Sequence, residues 1–132
     1  MADLHPQLEK DCVVLDKLAL CHLLLMNDAN YPWFILVPDR EGISEAFQLS
    51  EADQSLLQAE SSRLGEFLMQ QFEGDKLNIA ALGNVVPQLH VHHIVRYKND
   101  IAWPKPVWGL HPAKPYTPDR LDEIKALMRS FG

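Results

Sequence analysis

The sequence has little of what would mark a secreted, membrane-spanning or nucleic-acid-coating protein. Cysteine occurs only twice in 132 residues, at Cys12 and Cys21, both within apolar runs. Two such thiols make no disulfide framework, and they read as reduced, buried side chains. Apolar runs such as Leu23 to Met26 and Trp33 to Val37 fall far short of the ~20 residues that a membrane span requires. The opening residues, Met1 to Pro6, contain neither a basic region nor the apolar core of a secretion signal. A cytoplasmic protein is the resulting expectation. Positive charge is also scarce, with 12 Lys and Arg against 18 Asp and Glu and a net charge of -6. A general nucleic-acid binder would normally be basic. A single local pocket can still oppose the global sign and hold a small phosphorylated ligand.

What is present suits one α+β domain over residues 1–132. Hydrophobic residues make up 47% and charged residues 23%, as in ordinary soluble globular proteins. Short runs rich in Val and Leu predict strands over 12–18, 20–26, 33–37, 76–82 and 89–97. The first three lie so close together that a meander, and hence an antiparallel sheet, is expected. Ser50 predicts a helix start, with Asp53 three residues on as a capping-box-like pair. Leu57, Leu64, Leu68 and Phe72 follow at helical spacing, Glu60, Arg63 and Glu66 are expected to face outward, and Gly74-Asp75 ends the helix. A Pro-rich arm over 99–116, anchored by Trp103 and Trp108, leads to a last helix over 117–131. That helix is capped by Thr117 with Pro118 at its first position.

The chemistry concentrates in the fifth strand, which reads Gln88-Leu89-His90-Val91-His92-His93-Ile94-Val95-Arg96. Alternation places Gln88, His90, His92, Ile94 and Arg96 on one face and Leu89, Val91, His93 and Val95 on the other. The second row is mainly apolar and should lie against the helices, with His93 a buried, hydrogen-bonded ring. The first row sets two imidazoles about 7 Å apart along one strand. That spacing can straddle a phosphate, with one ring at phosphorus and the other at an oxygen. Imidazole is a nucleophile when neutral and an acid when protonated. The pair could instead hold zinc or copper, but His5, His22 and His111 are scattered and no Cys-x-x-Cys pair completes a site.

Gly83-Asn84-Val85-Val86-Pro87-Gln88-Leu89-His90-Val91-His92 resembles the signature of the histidine triad (HIT) superfamily. Its pattern is His-φ-His-φ-His-φ-φ with φ apolar, often after a Gly-x-Ser-Val-Pro type segment. Leu23 to Asp28, Tyr31 to Pro38 and the helix after Leu49-Ser50 are similar to other parts of that family. The resemblance implies a five-stranded antiparallel sheet with two helices, which dimerises into a ten-stranded sheet. It implies a nucleotide hydrolase or nucleotidyl transferase acting at an α-phosphate, with a dinucleoside polyphosphate such as diadenosine tetraphosphate as an example substrate. His90 would be the nucleophile, His92 would contact the phosphate or bridging oxygen, and Gln88 would stand at the first triad position and orient His90. Backbone amides around Gly83, Asn84 and Val85 would bind phosphate, and Asn27 would hold ribose hydroxyls or simply form the turn that Asn27-Asp28-Ala29-Asn30 signals.

Two positions depart from the pattern. Gln88 cannot carry a proton as imidazolium does, and Val85 stands where the family has a phosphate-contacting Ser. A nucleotide-binding regulator without turnover is therefore the second reading, and a metal-binding protein the third. No cofactor is required by the leading reading, and magnesium would enter only alongside a polyphosphate. Asn78 could face the phosphate or pair with backbone. Arg96 could attract a polyphosphate or end the strand in solvent. Phe34 and Leu25 could bound a base or belong to the core, and the arm from Trp103 to Trp108, with Lys105, could close the pocket or reach a second copy. Charge is segregated: residues 1–75 carry -10 and residues 76–132 carry +4, with Arg96, Lys98 and Lys105 in the basic part.

Overall fold

The computed structural model describes residues 3–131. Five antiparallel strands, β1 (Cys12–Lys17), β2 (Cys21–Met26), β3 (Trp33–Pro38), β4 (Lys76–Ala81) and β5 (Val91–Arg96), form one sheet in the order β1-β2-β3-β5-β4. The expected meander is therefore present, and the histidine strand inserts between β3 and the edge strand β4. A helix, α2 (Glu51–Phe72), links β3 to β4, and α3 (Pro118–Met128) follows the arm. β5 is shorter than the expected 89–97: Leu89, whose amide donates to the Ile43 carbonyl at 2.9 Å, and His90 precede the ladder and Tyr97 follows it, so His90 sits just before the ladder begins. Among the described residues no helix is long and apolar enough to cross a membrane.

Both faces of the sheet are covered. On one side Leu23, Leu25, Phe34, Leu36, Leu89 and Val95 pack against Leu57, Leu64, Leu68 and Ile124 of the helices. Phe34 and Leu25 are thus core residues, fully buried and turned away from His90 and His92. On the other side Leu24, Trp33, Ile35 and Ile94 are roofed by Leu8, Val86, Ala102 and Val107. Leu8 belongs to a further short helix, α1 (Pro6–Asp11), which the sequence reading left out. Its signal is local: Pro6 opens the helix, and His5 Nδ1 accepts from the Gln7 amide 3.0 Å away.

Helix α2 begins as expected, with Ser50 Oγ accepting from the Asp53 amide at 3.1 Å. Asp53 completes no capping box. Its carboxylate takes both Arg40 Nε at 2.8 Å and Arg40 Nη2 at 3.2 Å. The C-terminal stop falls on Glu73, which adopts the left-handed conformation with φ 50°. Gly74 is needed for space, because a Cβ there would run into Val95 and Met69. Arg63 and Glu66 face solvent as expected, but Glu60 does not. It is 2% exposed, and its two oxygens accept from the amides of Leu20 and Cys21 at 2.8 and 3.0 Å. The tight β1–β2 turn leaves those amides inward, and a helix carboxylate is their nearest acceptor.

Both cysteines are free thiols, Cys21 buried and Cys12 only half-buried. Burial, with Asp11 adding to it, pushes the Cys12 thiol up to about 12. Burial and then Glu60 push Cys21 upward too, so neither is a thiolate at neutral pH. Glu60→Ala should leave two buried amides unpaired and lower unfolding free energy by about 3 kcal/mol, measured by urea denaturation. An unchanged midpoint would show that water replaces the carboxylate.

Candidate active site

Three imidazoles of the histidine strand are buried, His90 at 5%, His92 at 4% and His93 at 0% exposure. In that setting each ring nitrogen needs a defined partner. The carbonyl of Gln88 lies 2.7 Å from His90 Nδ1. A carbonyl only accepts, so Nδ1 carries the hydrogen and the neutral ring keeps its lone pair on Nε2. His92 has the opposite arrangement. Trp33 Nε1 lies 2.9 Å from His92 Nδ1. Indole N–H only donates, so neutral His92 carries its hydrogen on Nε2. The two rings meet edge to face, with centroids 4.9 Å apart. One therefore offers an acceptor nitrogen and its neighbour a donor N–H.

Electrostatics keeps His92 neutral. Burial, then the neighbouring His90 and His93, hold its pKa down at about 3. A proton on Nδ1 would also break the bond to Trp33, since both groups would then be donors. His93 behaves as its opposite-face position implies. It donates from Nδ1 to the Val91 carbonyl at 3.1 Å, accepts at Nε2 from Ser61 Oγ of α2 at 2.7 Å, and burial lowers its pKa to about 4. It faces the helices, away from the other two rings.

A cavity of about 300 Å³ opens over His90 and His92, lined also by Trp33, Asn84, Val85 and Trp108, with Gln7, Leu8 and Asp11 of α1 as one wall. It shares Asp11, Met26, Trp33 and Trp108 with an adjoining cavity of about 390 Å³, which reaches Lys10, Asn27, Asp28 and His111. Together they make one groove. A larger cavity, about 590 Å³, lies between β1 and α3 around Val14, Leu23, Lys125 and Arg129, and holds no imidazole or thiol. Among the described residues no group of three His, Cys, Asp or Glu side chains is arranged to hold a metal ion.

The structure sorts the sequence candidates. Asn84 and Val85 reach the histidine cavity and Asn27 the adjoining one, where its Oδ1 accepts from the Tyr116 amide at 2.9 Å. Val85 turns its side chain out, 84% exposed. Gly83 lines neither cavity. Asn78 is directed elsewhere, because its Oδ1 accepts from Arg96 Nη1 at 2.9 Å. Arg96 is neither a solvated strand end nor a phosphate ligand. It is 2% exposed, pairs with both oxygens of Asp100 at 2.8 and 3.0 Å, and lies over Tyr31 and Trp103. Burial opposes the Asp100 carboxylate, but Arg96 and three backbone amides outweigh it and lower its pKa. Lys98 and Lys105 line neither cavity, so the basic half of the sequence puts no Lys or Arg beside the histidines.

Gln88 departs furthest from expectation. Its carbonyl aims His90, while its side-chain amide points the other way, to the backbone of Asp3 and His5. Trp108 of the arm lies edge-on to His92, with centroids 5.2 Å apart, so the arm closes the groove of its own chain. Trp33 and the α1 wall were not singled out in the sequence. Alternation sets Trp33 opposite to Phe34, but only the β3–β5 register, which pairs Ile35 with His92 and Trp33 with Ile94, brings it diagonal to His92.

Two measurements test this electrostatic picture. Trp33→Phe should let His92 populate both tautomers and take a proton at higher pH, read from side-chain ¹⁵N shifts. His92 and His93, buried and neutral, each gain a proton in the unfolded chain below about pH 6.5. Stability should therefore be full above that pH and fall as pH drops toward about 4 for His93 and about 3 for His92. The loss between pH 7 and 5 is on the order of 2 kcal/mol per ring, and urea melts across that range would reveal its absence.

Comparison with known proteins agrees with the geometry. A family model for the HIT domain matches residues 7–99. A histidine triad protein from Marinobacter aquaeolei is 50% identical, with 98% of this chain and 94% of that one covered and a TM-score of 0.96. One from Bradyrhizobium japonicum is 42% identical over 97% of this chain and 96% of that one, with a TM-score of 0.95. A hypothetical histidine triad nucleotide-binding protein from Sulfolobus tokodaii shares the fold at 14% identity, over 95% of this chain and 86% of that one, with a TM-score of 0.69. No curated protein matches. With the domain model spanning most of the chain and near-complete structural likeness at this identity, the chain belongs to the HIT domain family.

Proposed function

We propose that the chain is a nucleotide hydrolase or nucleotidyl transferase acting at an α-phosphate, with His90 as nucleophile. The observation that carries this reading is the opposed hydrogen bonding of the two rings: a carbonyl acceptor at His90 Nδ1, which leaves Nε2 as the nucleophilic atom of the neutral ring, beside an indole donor at His92 Nδ1, which leaves an Nε2–H. Nε2 of His90 attacks phosphorus and forms a P–N bond, while the bond from phosphorus to the leaving group breaks and that group departs with the electron pair. The nucleotidyl-imidazole so formed is cationic, and its Nδ1–H remains on the Gln88 carbonyl, which stabilises the charge. His92, neutral at working pH, donates a hydrogen bond to a phosphoryl or bridging oxygen where negative charge develops. Water, or another acceptor in the transferase case, then attacks phosphorus, and the P–N bond breaks to return His90.

The groove supports the placement of the rest. Asn84 and Val85 line the histidine cavity, where their amides would meet the phosphate, with Gly83 shaping the loop, and Asn27 lines the adjoining cavity, into which a ribose would extend. Among the described residues no Lys or Arg lines the histidine cavity and Lys10 lines the adjoining one, so a dinucleoside polyphosphate would bring magnesium to balance its further phosphates. A second copy pairing along the edge strand β4, where Ile79 is 49% exposed, would build the ten-stranded sheet. Light scattering at twice the 15.0 kDa chain mass checks that assembly.

The decisive experiment is a rapid quench with a nucleoside phosphoramidate or polyphosphate, followed by peptide mass spectrometry. A nucleotidyl increment on His90, lost in His90→Asn together with at least ~10³-fold of the rate, is the expected result. Tight nucleotide binding without adduct or product would instead support a regulator that has no turnover. That reading draws on Val85, which offers no hydroxyl where the family pattern has Ser.

A further inference from the structure

Residue 88 makes two separate attachments, and only one concerns His90. The backbone carbonyl holds His90 Nδ1 at 2.7 Å. The side-chain amide forms a two-pronged pair with the chain on either side of Leu4: Oε1 accepts from the His5 amide at 2.8 Å, and Nε2 donates to the Asp3 carbonyl at 2.9 Å. His5 then caps α1, and α1 supplies Gln7, Leu8 and Asp11 to the wall facing His90 and His92. The wall is also tied at its other end, where α1 runs directly into β1 with Cys12 paired to Met26, and Leu4 packs on the same apolar cluster as Leu8. Leu8 is buried beside Trp33 and Val86, and the Asp11 carbonyl accepts from the Asn27 amide at 3.0 Å.

We propose that the Gln88 side chain is a latch: it holds the N-terminal segment as a fixed wall of the groove and so governs how tightly a ligand is gripped, while the chemistry depends only on its carbonyl. The inference rests on the groove being the nucleotide site. A primary amide suits the task because its donor and acceptor lie side by side, matching the N–H and C=O that flank one residue of an extended chain. Imidazole cannot substitute, since its two nitrogens point away from each other. A carboxylate of the same length keeps the acceptor for His5 and sets a second acceptor against the Asp3 carbonyl. On this view Gln at the first triad position is an exchange of roles: the orienting contact to His90 comes from the backbone, which any residue supplies, and the side chain is released for the wall.

The test compares Gln88→Ala, Gln88→Glu and Gln88→His with the native full-length chain. Amide hydrogen exchange across residues 5–11 is the first readout, with the β5 amides as an internal control for intact folding. Titration with adenosine monophosphate is the second. In Gln88→Ala, exchange in α1 should rise about tenfold and affinity for the monophosphate fall about tenfold, the scale of two neutral hydrogen bonds. Gln88→Glu should fall between native and Gln88→Ala, and Gln88→His should resemble Gln88→Ala. Where turnover is measurable, the loss should appear in KM more than in kcat. Unchanged α1 exchange in Gln88→Ala overturns the latch, as does looser α1 with native affinity. Native behaviour of Gln88→His in both readouts overturns it as well, by returning the position to the triad. Neither readout needs turnover, so a failed hydrolase reading would show separately, as absence of the His90 adduct in the native chain.

Discussion

Three imidazoles, two on β5 and one just before it, covered on both faces of the sheet, set the terms for the rest of this structure. A buried ring cannot keep a charge cheaply, and an unpaired ring nitrogen is costly, so every nitrogen facing protein must find a partner of fixed direction. Carbonyls of Gln88 and Val91 settle His90 and His93, Ser61 settles the far side of His93, and Trp33 settles His92. Because a carbonyl only accepts and an indole only donates, the same demand for satisfaction that permits burial also fixes opposite tautomers on neighbouring rings. Stability and chemical differentiation come from one set of hydrogen bonds.

That demand explains why the second sheet face is closed. Helix α1, the loop after β4 and the arm cover Trp33, Ile94 and the two site histidines, leaving a groove in place of open solvent. The cover is fastened by apolar packing of Leu8, Val86, Ala102 and Val107 and by hydrogen bonds at both ends: the Gln88 amide and the Asp11 carbonyl at the N-terminal end, and those of the arm to Asn27, Asp28 and Asn30 at the other. Beneath it, Arg96 and Asp100 form a buried bidentate pair that also gathers Asn78 and the amides of Tyr97, Ala102 and Trp103. Breaking one member of such a network leaves an uncompensated charge. Its position at the end of β5 means that the basic residue with the strongest claim on a phosphate is instead committed to shaping the arm.

Much of the architecture was legible because its signals are local. Alternation along residues 88–96 separates His93 from the other two rings whatever the neighbours are, and Ser50 and Thr117 cap their helices as their positions imply. The readings that failed depend on long-range partners. Glu60 looks like a solvent residue until the β1–β2 turn presents two amides to it. Arg96, Asn78 and Lys105 look available to phosphate until the return of the arm consumes or displaces them. Segregation of basic residues in the second half of the sequence did not become a basic site, because nearness along the chain is not nearness in space.

By itself, the sequence determined the α+β class, the antiparallel sheet, and a segment that turns His90 and His92 to one side of the sheet and His93 to the other. A period-two chain with apolar residues on one side admits no other arrangement once it is buried. Tertiary structure alone decided what each ring can do. Trp33 is 59 residues from His92, and only strand register brings its donor to Nδ1. The two uses of Gln88 were equally hidden, since a backbone carbonyl has no signature in sequence and a side-chain amide shows its purpose only when its partners, two backbone groups more than 80 residues away, have folded against it.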